Sequence, residues 1–243
     1  MVKKKIEKIV EVGWCVDSPL SNVVFSEPKT VQELRKAPLS RRAVQACPAV
    51  NEFERRLIIL NSGFDIRLRI EKNKENCELF VIPEGTRIDD DLVQKFVSLN
   101  SPEIWRDNKK PVIQILLPYF FVCDQLCYIS QIYPFLNYKA NLWPGTLVGG
   151  RFPITNWPRI LNFAFEWIED DKDLIIKRGD PLCYIFFEFD DPTKIPKLIR
   201  AKMTPELVEF KKEIDATPKF VSSTFSLMDE AAKRRPKKLL KKI

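Results

Sequence analysis

The sequence predicts a mainly β protein of the β-rich α+β class. The expected architecture is an antiparallel β-sandwich or a jelly-roll-like, partly closed barrel with a few short peripheral helices. Two observations support this prediction. Phe (17) and Pro (18) are abundant while Gly (7) is scarce, a composition typical of short strands joined by ordered loops. Residues 111–189 also contain apolar runs separated by turn residues at intervals of about 10–15 positions, as in sandwiches and barrels.

The chain divides into four segments that together form one domain. Residues 1–48 contain four prolines and read as an irregular arm, and their Trp and Phe side chains require burial, so the arm is expected to wrap the domain. Residues 49–192 form the β-rich core domain. Residues 193–232 form a C-terminal helical and wrapping segment, and residues 233–243 form a basic tail.

The first half of the core domain contains a helix, a hairpin and a second helix. Residues 50–60 predict a helix that leads into a strand. Residues 64–70 alternate apolar and charged side chains, and residues 77–83 return after a polar turn, which predicts a β-hairpin. Residues 89–99 begin with three acids and continue with an apolar stripe, which predicts a short amphipathic helix.

The second half of the core domain is predicted to consist of closely spaced strands. Residues 111–122 are apolar on both faces and predict a central strand. The strands that follow are expected at 126–135, 146–154, 160–167, 173–180 and 182–189. The Gly-containing stretch 143–152 is interpreted as a hairpin loop with a bulge. Thr204 followed by Pro205 predicts the start of a helix with Leu207, Phe210 and Ile214 as its apolar stripe.

An ordered set of landmarks extends over residues 14–190. They are Trp14 with Pro19-Leu20, Cys47-Pro48, Phe64-Asp65-Ile66, Pro118-Tyr119-Phe120, Asn162-Phe163 with Phe165 and Trp167, and Arg178-Gly179-Asp180-Pro181 ahead of Phe186-Phe187. This order resembles a family of uncharacterised proteins from tailed bacteriophages and some bacteria. Gly63 departs from the proline of many relatives, and residues 85–110 and 193–243 have no clear counterpart. The resemblance implies a β-rich fold and a phage or bacterial source, and it implies no activity.

The residue types that are absent exclude several kinds of chemistry. The chain has no histidine, which excludes His-dependent triads, His-ligated metals and His-based pH sensing. Six cysteines occur without a CxxC pair, and Cys123 and Cys127 lack a second pair for zinc, so all six are expected to be reduced. No metal site, no cofactor and no recognisable catalytic set is therefore predicted, which favours a non-enzymatic protein.

The formal net charge of +7 is carried entirely by the tail, because residues 233–243 contain seven basic residues and no acid. The candidate residues for contact with nucleic acid or another partner are Lys233, Arg234, Arg235, Lys237 and Lys238. The tail is either a solvated, frayed terminus or an arm for nucleic acid, a membrane surface or another partner. No apolar run approaches the roughly 20 residues of a membrane span, and no signal peptide is visible, so a location in the cytoplasm or a virion is expected.

A candidate ligand site is the loop of residues 143–159. It combines Trp143 and Trp157 with Arg151 and Arg159, and aromatic rings with arginines are used to stack bases and bind anions. Core and rim packing is the alternative interpretation. Two carboxylates at strands, Glu166 and Asp65, are added as candidate ligand-binding residues, with turn capping as the alternative for Asp65. Arg178-Gly179-Asp180 similarly reads as a structural turn or as part of a nucleotide site.

Three hypotheses for function remain open from the sequence. The first is a non-enzymatic phage or bacterial accessory or virion-associated protein that binds a phage or host protein. The second is a small-molecule or nucleotide-binding protein, or an enzyme, with its site in the 143–159 loop. The third is nucleic-acid binding through the basic tail, and its expected signature is salt-dependent binding.

Overall fold

The computed structural model describes residues 8–17, 23–35, 40, 43–72, 77–82, 90–217 and 221–243, except for the side chains of residues 90–92. The strands are Lys8–Val16 (β1), Lys29–Thr30 (β2), Leu57–Asn61 (β3), Ile66–Lys72 (β4), Cys77–Val81 (β5), Val97–Leu99 (β6), Val112–Val122 (β7), Cys127–Ile132 (β8), Gly145–Leu147 (β9), Arg151–Pro153 (β10), Ile160–Trp167 (β11), Leu174–Ile176 (β12), Pro181–Phe189 (β13) and Lys194–Arg200 (β14). The α-helices are Pro48–Glu54 (α1), Asp90–Phe96 (α2), Pro205–Asp215 (α3) and Thr224–Ala232 (α4).

The strands form three sheets. The first has the order β14-β1-β7-β11-β9, with β6 also paired to β7. The second has the order β10-β8-β13-β3-β2, and the third has the order β12-β4-β5. All pairs within these sheets are antiparallel except β1 with β14, which is parallel. The predicted β-rich α+β class is confirmed, with curled sheets and four short α-helices among the described residues.

Strand β7 is central because both of its faces are covered. Tyr119 and Phe121 point into the main core, which is shared by all three sheets. Phe120 and Val122 point the other way, into a second cluster with α3, α4 and Leu239. A strand segment that alternates between two apolar layers has no polar face, which explains the apolar run of residues 117–122, where every residue is buried.

The bulky residues of β11 fill the main core as the alternation predicts. Leu161, Phe163, Phe165 and Trp167 are each at most 1% exposed. Phe163 and Phe165 lie with ring centroids 6.1 Å apart, and Trp167 meets Phe165 edge-on at 5.8 Å. One face of β11 therefore supplies a row of aromatic rings to the main core.

Several element predictions are confirmed. Helix α1 leads into β3, β4 and β5 form the predicted hairpin, and α2 lies within residues 89–99. Thr204 caps α3, since its Oγ1 accepts a hydrogen bond from Leu207 N at 3.3 Å. The turn before β13 contains Gly179 at φ 84°, and Asp180 Oδ2 accepts a hydrogen bond from Lys177 N at 3.1 Å, as the structural interpretation of that turn requires.

The prediction of an irregular arm over residues 1–48 is wrong for residues 8–16. These residues form β1, which lies between β14 and β7 and buries Val10 and Val12. The helical and wrapping segment predicted for residues 193–232 is likewise wrong for residues 194–200, which form β14. The two strands are far apart in the sequence, but they pair in parallel, from Lys8 with Lys194 to Trp14 with Arg200. A core domain limited to residues 49–192 therefore lacks two strands of its own first sheet.

The single strand expected at 146–154 is also wrong. The structure divides it into β9, which pairs with β11 in the first sheet, and β10, which pairs with β8 in the second. The connection through Gly149 and Gly150 crosses from one sheet to the other, so it is not a hairpin loop. Among the helices that the structure describes, none is long and apolar enough to cross a membrane.

Candidate functional site: the C-terminal basic segment and its neighbours

The C-terminal basic segment, residues 233–243, is docked on the body of the protein. Its anchor is Arg235, whose side chain is only 8% exposed. The Arg235 guanidinium donates to Thr155 O at 2.9 Å, to Cys123 O at 2.9 Å and to Asp124 Oδ1 at 3.0 Å. The interpretation as a frayed terminus is therefore wrong, because a guanidinium held by three acceptors is fixed in place.

Further contacts hold the remainder of the segment. Asp124 Oδ1 accepts a hydrogen bond from Leu239 N at 2.8 Å, and the Leu239 side chain is 1% exposed. Leu240 packs over Gly13 of β1, where a Cβ would collide with the Leu240 side chain. An isolated antiparallel bridge joins Lys242 to Ala201 just after β14. The segment thus covers the second apolar cluster.

This docking leaves most of the basic side chains in solvent. Lys233 and Arg234 are each 70% exposed, and Lys233 pairs with Glu230 at 2.5 Å. Lys237, Lys238 and Lys242 are exposed and have no acidic partner within 4 Å in the described part of the chain. Lys202 adds a further exposed cation beside the segment, because its backbone N–H donates to Lys241 O at 2.8 Å. The segment is therefore a fixed, positively charged strip.

A row of aromatic rings lies next to this strip. Phe152 and Trp157 have ring centroids 5.4 Å apart, and Trp157 meets Phe225 of α4 edge-on at 6.3 Å. Arg159 places its guanidinium carbon 4.8 Å from the centroid of the Trp157 ring. Burial lowers the pKa of Arg159, and the carboxylate of Asp215 opposes that shift. The Phe225 side chain ends the row and is 60% exposed.

The strip and the aromatic row meet at the loop of residues 153–157. Arg235 binds Thr155 O in this loop, and the backbone of Trp157 donates to Pro153 O at 2.8 Å. Helix α4 makes the second connection, because it carries Phe225 in its first turn and leads directly into Lys233. Two features that are separate in the sequence are therefore parts of one surface.

The four residues predicted for a ligand site in the 143–159 loop lie in three different parts of the structure. Trp143 is 5% exposed and packs against Tyr133, Phe163 and Phe165 in the main core. Arg151 lies over the Tyr128 ring at 4.0 Å and donates to Glu188 Oε2 at 2.9 Å. Only Trp157 and Arg159 belong to the aromatic row. The loop thus contributes two of its four predicted residues to one surface.

The two candidate carboxylates have structural contacts of their own. Glu166 is fully buried in β11, and both of its oxygens accept hydrogen bonds from Arg106. Those bonds and the charge of Glu166 raise the pKa of Arg106. Asp65 Oδ1 accepts a hydrogen bond from Arg178 N at 2.6 Å, which supports the turn-capping interpretation.

None of the six cysteines is in a disulfide, and Cys123 and Cys127 lie close together at the turn that binds Arg235. Cys123 Sγ donates to Glu11 O at 3.7 Å, and Cys127 Sγ donates to Tyr128 O at 3.7 Å. The interaction with Cys123 and burial raise the pKa of Cys127. Among the described residues, no three Cys, Asp or Glu side chains are grouped to hold a metal ion.

Two grooves of about 580 Å³ border the C-terminal basic segment. One lies between α3 and α4 and is lined by Glu213, Leu227, Glu230 and Arg234. The other is lined by Trp14, Phe25, Arg200 and Met203, and Ile243 closes one side of it. The charged residues that line the first groove are two acids, Glu213 and Glu230, and two cations, Lys233 and Arg234, so the groove carries no net charge.

Sequence reasoning missed the residues that assemble this surface. Asp124 is one of several carboxylates close to a strand end, and nothing in its sequence position predicts that it binds both Arg235 and the backbone of Leu239. Phe225 and Phe152 carry no distinguishing signal, because an aromatic residue in a short helix or strand is normally interpreted as core. The exposed position of Phe225 follows from α4 packing through Thr224, Met228 and Ala231 instead.

Comparison with known proteins gives no relative. No family model, no curated protein and no solved structure matches the chain.

Proposed function

We propose that the protein is a binding protein for nucleic acid and that the C-terminal basic segment is its contact surface. The observation that carries this proposal is the anchoring of that segment by Arg235, which leaves Lys237, Lys238 and Lys242 exposed and without acidic partners among the described residues. The remainder of the chain is formally neutral, so the net positive charge of the protein equals that of this segment.

A C-terminal basic segment that is docked on the body of the protein supports this function more strongly than a flexible segment would. A disordered arm loses conformational entropy when it binds, whereas a segment held by Arg235 and Leu239 is already ordered. Exposed lysines that contact phosphates release condensed counterions, which provides most of the affinity in non-specific binding. A fixed strip of lysines is therefore suited to a polyanionic backbone.

The test is fluorescence anisotropy of a labelled oligonucleotide between roughly 50 and 200 mM salt. Replacing Lys237, Lys238 and Lys242 together by alanine should weaken binding and reduce the salt slope by about 0.7–0.9 for each phosphate that is no longer neutralised. The matched control replaces three exposed lysines of other elements, Lys29, Lys95 and Lys109. An equal loss of affinity in both triple variants, or no binding to any oligonucleotide at the lowest salt concentration, would overturn the proposal.

A second candidate function, binding of a phage or host protein, is favoured by an exposed aromatic patch. Phe53 and Phe135 are 41% and 46% exposed, with ring centroids 6.2 Å apart, and Phe53 stacks on Phe186 at 6.1 Å. Exposed clustered aromatics are typical of protein interfaces. Chemical cross-linking in the producing cell should capture a partner that a Phe53→Ser/Phe135→Ser variant loses and a Phe80→Ser control keeps. Equal capture by all three proteins would contradict this candidate.

A further inference from the structure

We infer that the nucleic acid bound by this protein is single-stranded, an inference that rests on the proposed function. Charge alone does not distinguish single strands from duplexes, since both present phosphates. The distinguishing feature is the aromatic row of Phe152, Trp157 and Phe225 beside the C-terminal basic segment. Aromatic rings next to a cationic groove are the arrangement by which proteins bind unpaired bases.

Phe225 is the ring that a base would contact first. Its side chain is 60% exposed, and its one described ring contact is the edge-on contact with Trp157, which leaves ring area open to solvent. Bases in a duplex are already stacked on one another and present only their edges in the grooves. An unpaired base offers its π-face, so Phe225 can stack only on a strand whose bases are open.

Trp157 and Arg159 hold the row in position. The Arg159 guanidinium lies over the Trp157 ring at 4.8 Å, and Trp157 in turn contacts both Phe152 and Phe225. The indole Nε1 of Trp157 is buried and has no hydrogen-bond acceptor among the described residues.

The spacing between the rings and the lysines suits a short strand. Phe225 and Lys233 lie at opposite ends of α4, separated by a rise of about 12 Å, and Lys237 and Lys238 follow Lys233 by only four and five positions. A strand that stacks a base on Phe225 would therefore reach the lysines within a few nucleotides. The site sizes of about 4–16 nucleotides known for other single-strand binding folds cover this length.

Acidic residues limit where the strand can run. Glu230 pairs with Lys233, and Glu213 lies 3.7 Å from Arg234, so these two cations are partly neutralised. Asp229 also lies on α4. The phosphates are therefore expected to follow Lys237, Lys238 and Lys242 rather than the helix itself.

The experiment compares a labelled thymidine strand of about 16 nucleotides with a duplex of the same length at one salt concentration. The wild type should bind the single strand several-fold to roughly tenfold more tightly. Phe225→Leu should remove this preference, because leucine keeps the apolar volume but has no π-face, while duplex affinity and the salt slope stay unchanged. Phe225→Tyr should retain the preference. Phe80→Leu is the matched control, since Phe80 is 40% exposed on β5.

The outcomes separate this inference from the function on which it rests. Equal affinity for strand and duplex, with no effect of Phe225→Leu, overturns the single-strand inference and leaves nucleic-acid binding intact. Absence of binding to both oligonucleotides overturns the proposed function itself. Equal binding to the strand and to heparin, unaffected by Phe225→Leu, shows a contact by charge alone and also overturns the inference. Circular dichroism of each variant confirms that the fold is retained.

Discussion

Glu166 shows how a single side chain can look like a catalytic candidate and be structural. It is fully buried in β11, and Arg106 closes it off with hydrogen bonds to both carboxylate oxygens. The Arg106 side chain is itself 70% exposed, so the pair fastens a surface loop to a buried strand. A buried carboxylate needs such a partner, because an unpaired charge in the interior is strongly destabilising.

Replacing Glu166 by glutamine should lower the free energy of unfolding by roughly 1–3 kcal/mol, since two charge-assisted hydrogen bonds are removed from a buried position. Urea unfolding at neutral pH measures this. Glu169→Gln serves as the control, because Glu169 is 49% exposed and pairs with Lys172 on the surface, where a pair contributes about 0–1 kcal/mol. Similar decreases in the two variants would mean that Arg106 does not stabilise Glu166.

The thiols differ in reactivity because they differ in burial. Burial raises the pKa of Cys183 and of Cys15 to about 12, whereas Cys47 is exposed. The thiolate is the reactive form, and it is scarce at mildly alkaline pH when the pKa is that high. Iodoacetamide at about pH 8 should therefore label Cys47 in the native protein and label Cys15 and Cys183 only in denaturant. Mass spectrometry of peptides measures the extent of labelling at each cysteine. If Cys183 in the native protein is labelled as fast as Cys47, Cys183 is not buried.

At the scale of elements, Asp173 links β12 to β4 in the third sheet. It precedes β12, and its carboxylate accepts hydrogen bonds from Arg67 Nη2 at 3.0 Å and from Arg69 Nε at 2.9 Å, both on β4. Burial raises the pKa of Asp173, but the hydrogen bonds and charges of Arg69 and Arg67 outweigh that effect and hold the pKa below its ordinary value.

A depressed pKa makes this contribution depend on pH in a defined direction. The stabilisation is fully present above the unfolded-state pKa of about 3.9 and is lost as the pH falls through the lower value of the folded state. Asp173→Asn should therefore be less stable than wild type at neutral pH, and the two should converge as the pH falls below about 4. Urea midpoints between about pH 2.5 and pH 7 test this. If the difference in urea midpoint between the two proteins stays constant over that range, the Asp173 carboxylate is not the cause of the difference in stability.

The C-terminal basic segment is held mainly by Arg235, so its docking should depend on that residue. Arg235→Ala removes the donors to Thr155 O, Cys123 O and Asp124, and trypsin should then cleave after Lys237 and Lys238 faster. Arg234→Ala is the control, because the Arg234 side chain is 70% exposed. Mass spectrometry of timed digests gives the rates. Equal rates in the two variants would show that Arg235 is not the anchor.

At the scale of the whole molecule, the first sheet brings together two strands that are far apart in the sequence. Strand β1 comes from the beginning of the described sequence and β14 from near the end, and they pair in parallel before β1 pairs with β7. The main core includes Val10 and Val12 of β1 as fully or nearly fully buried residues. Integrity of the fold therefore requires both terminal regions.

A fragment of residues 49–192 should fail to fold as a stable monomer, although the sequence alone suggests it as the core domain. Without β1, residues 119–122 of the central strand β7 have an open edge, and unpaired edges promote aggregation. Near-ultraviolet circular dichroism and light scattering would compare the fragment with the full chain. A soluble monomeric fragment with native-like aromatic signals would contradict the requirement for β1 and β14.

Local patterns are sufficient to predict most strands between residues 111 and 189. Alternation in β11 and the Gly179 turn before β13 are properties of neighbouring residues, so they are visible without the fold. Strand β1 escapes such prediction because Gly13 and two buried faces blur its alternation, and because its parallel partner β14 lies near the other end of the chain. Pairing over such a distance leaves no local signature, since it is decided by what else fills the core.

The amino-acid sequence by itself determined the β-rich class, the capped helix at Thr204 and the confinement of net charge to residues 233–243, because propensity, capping and charge are properties of the residues themselves. Tertiary structure alone decided that Arg235 docks this segment on Asp124 and Thr155, and that Trp157 and Phe225 meet beside it. Such contacts join residues far apart in the chain, and only the packing of the sheets and of α4 brings them to one surface.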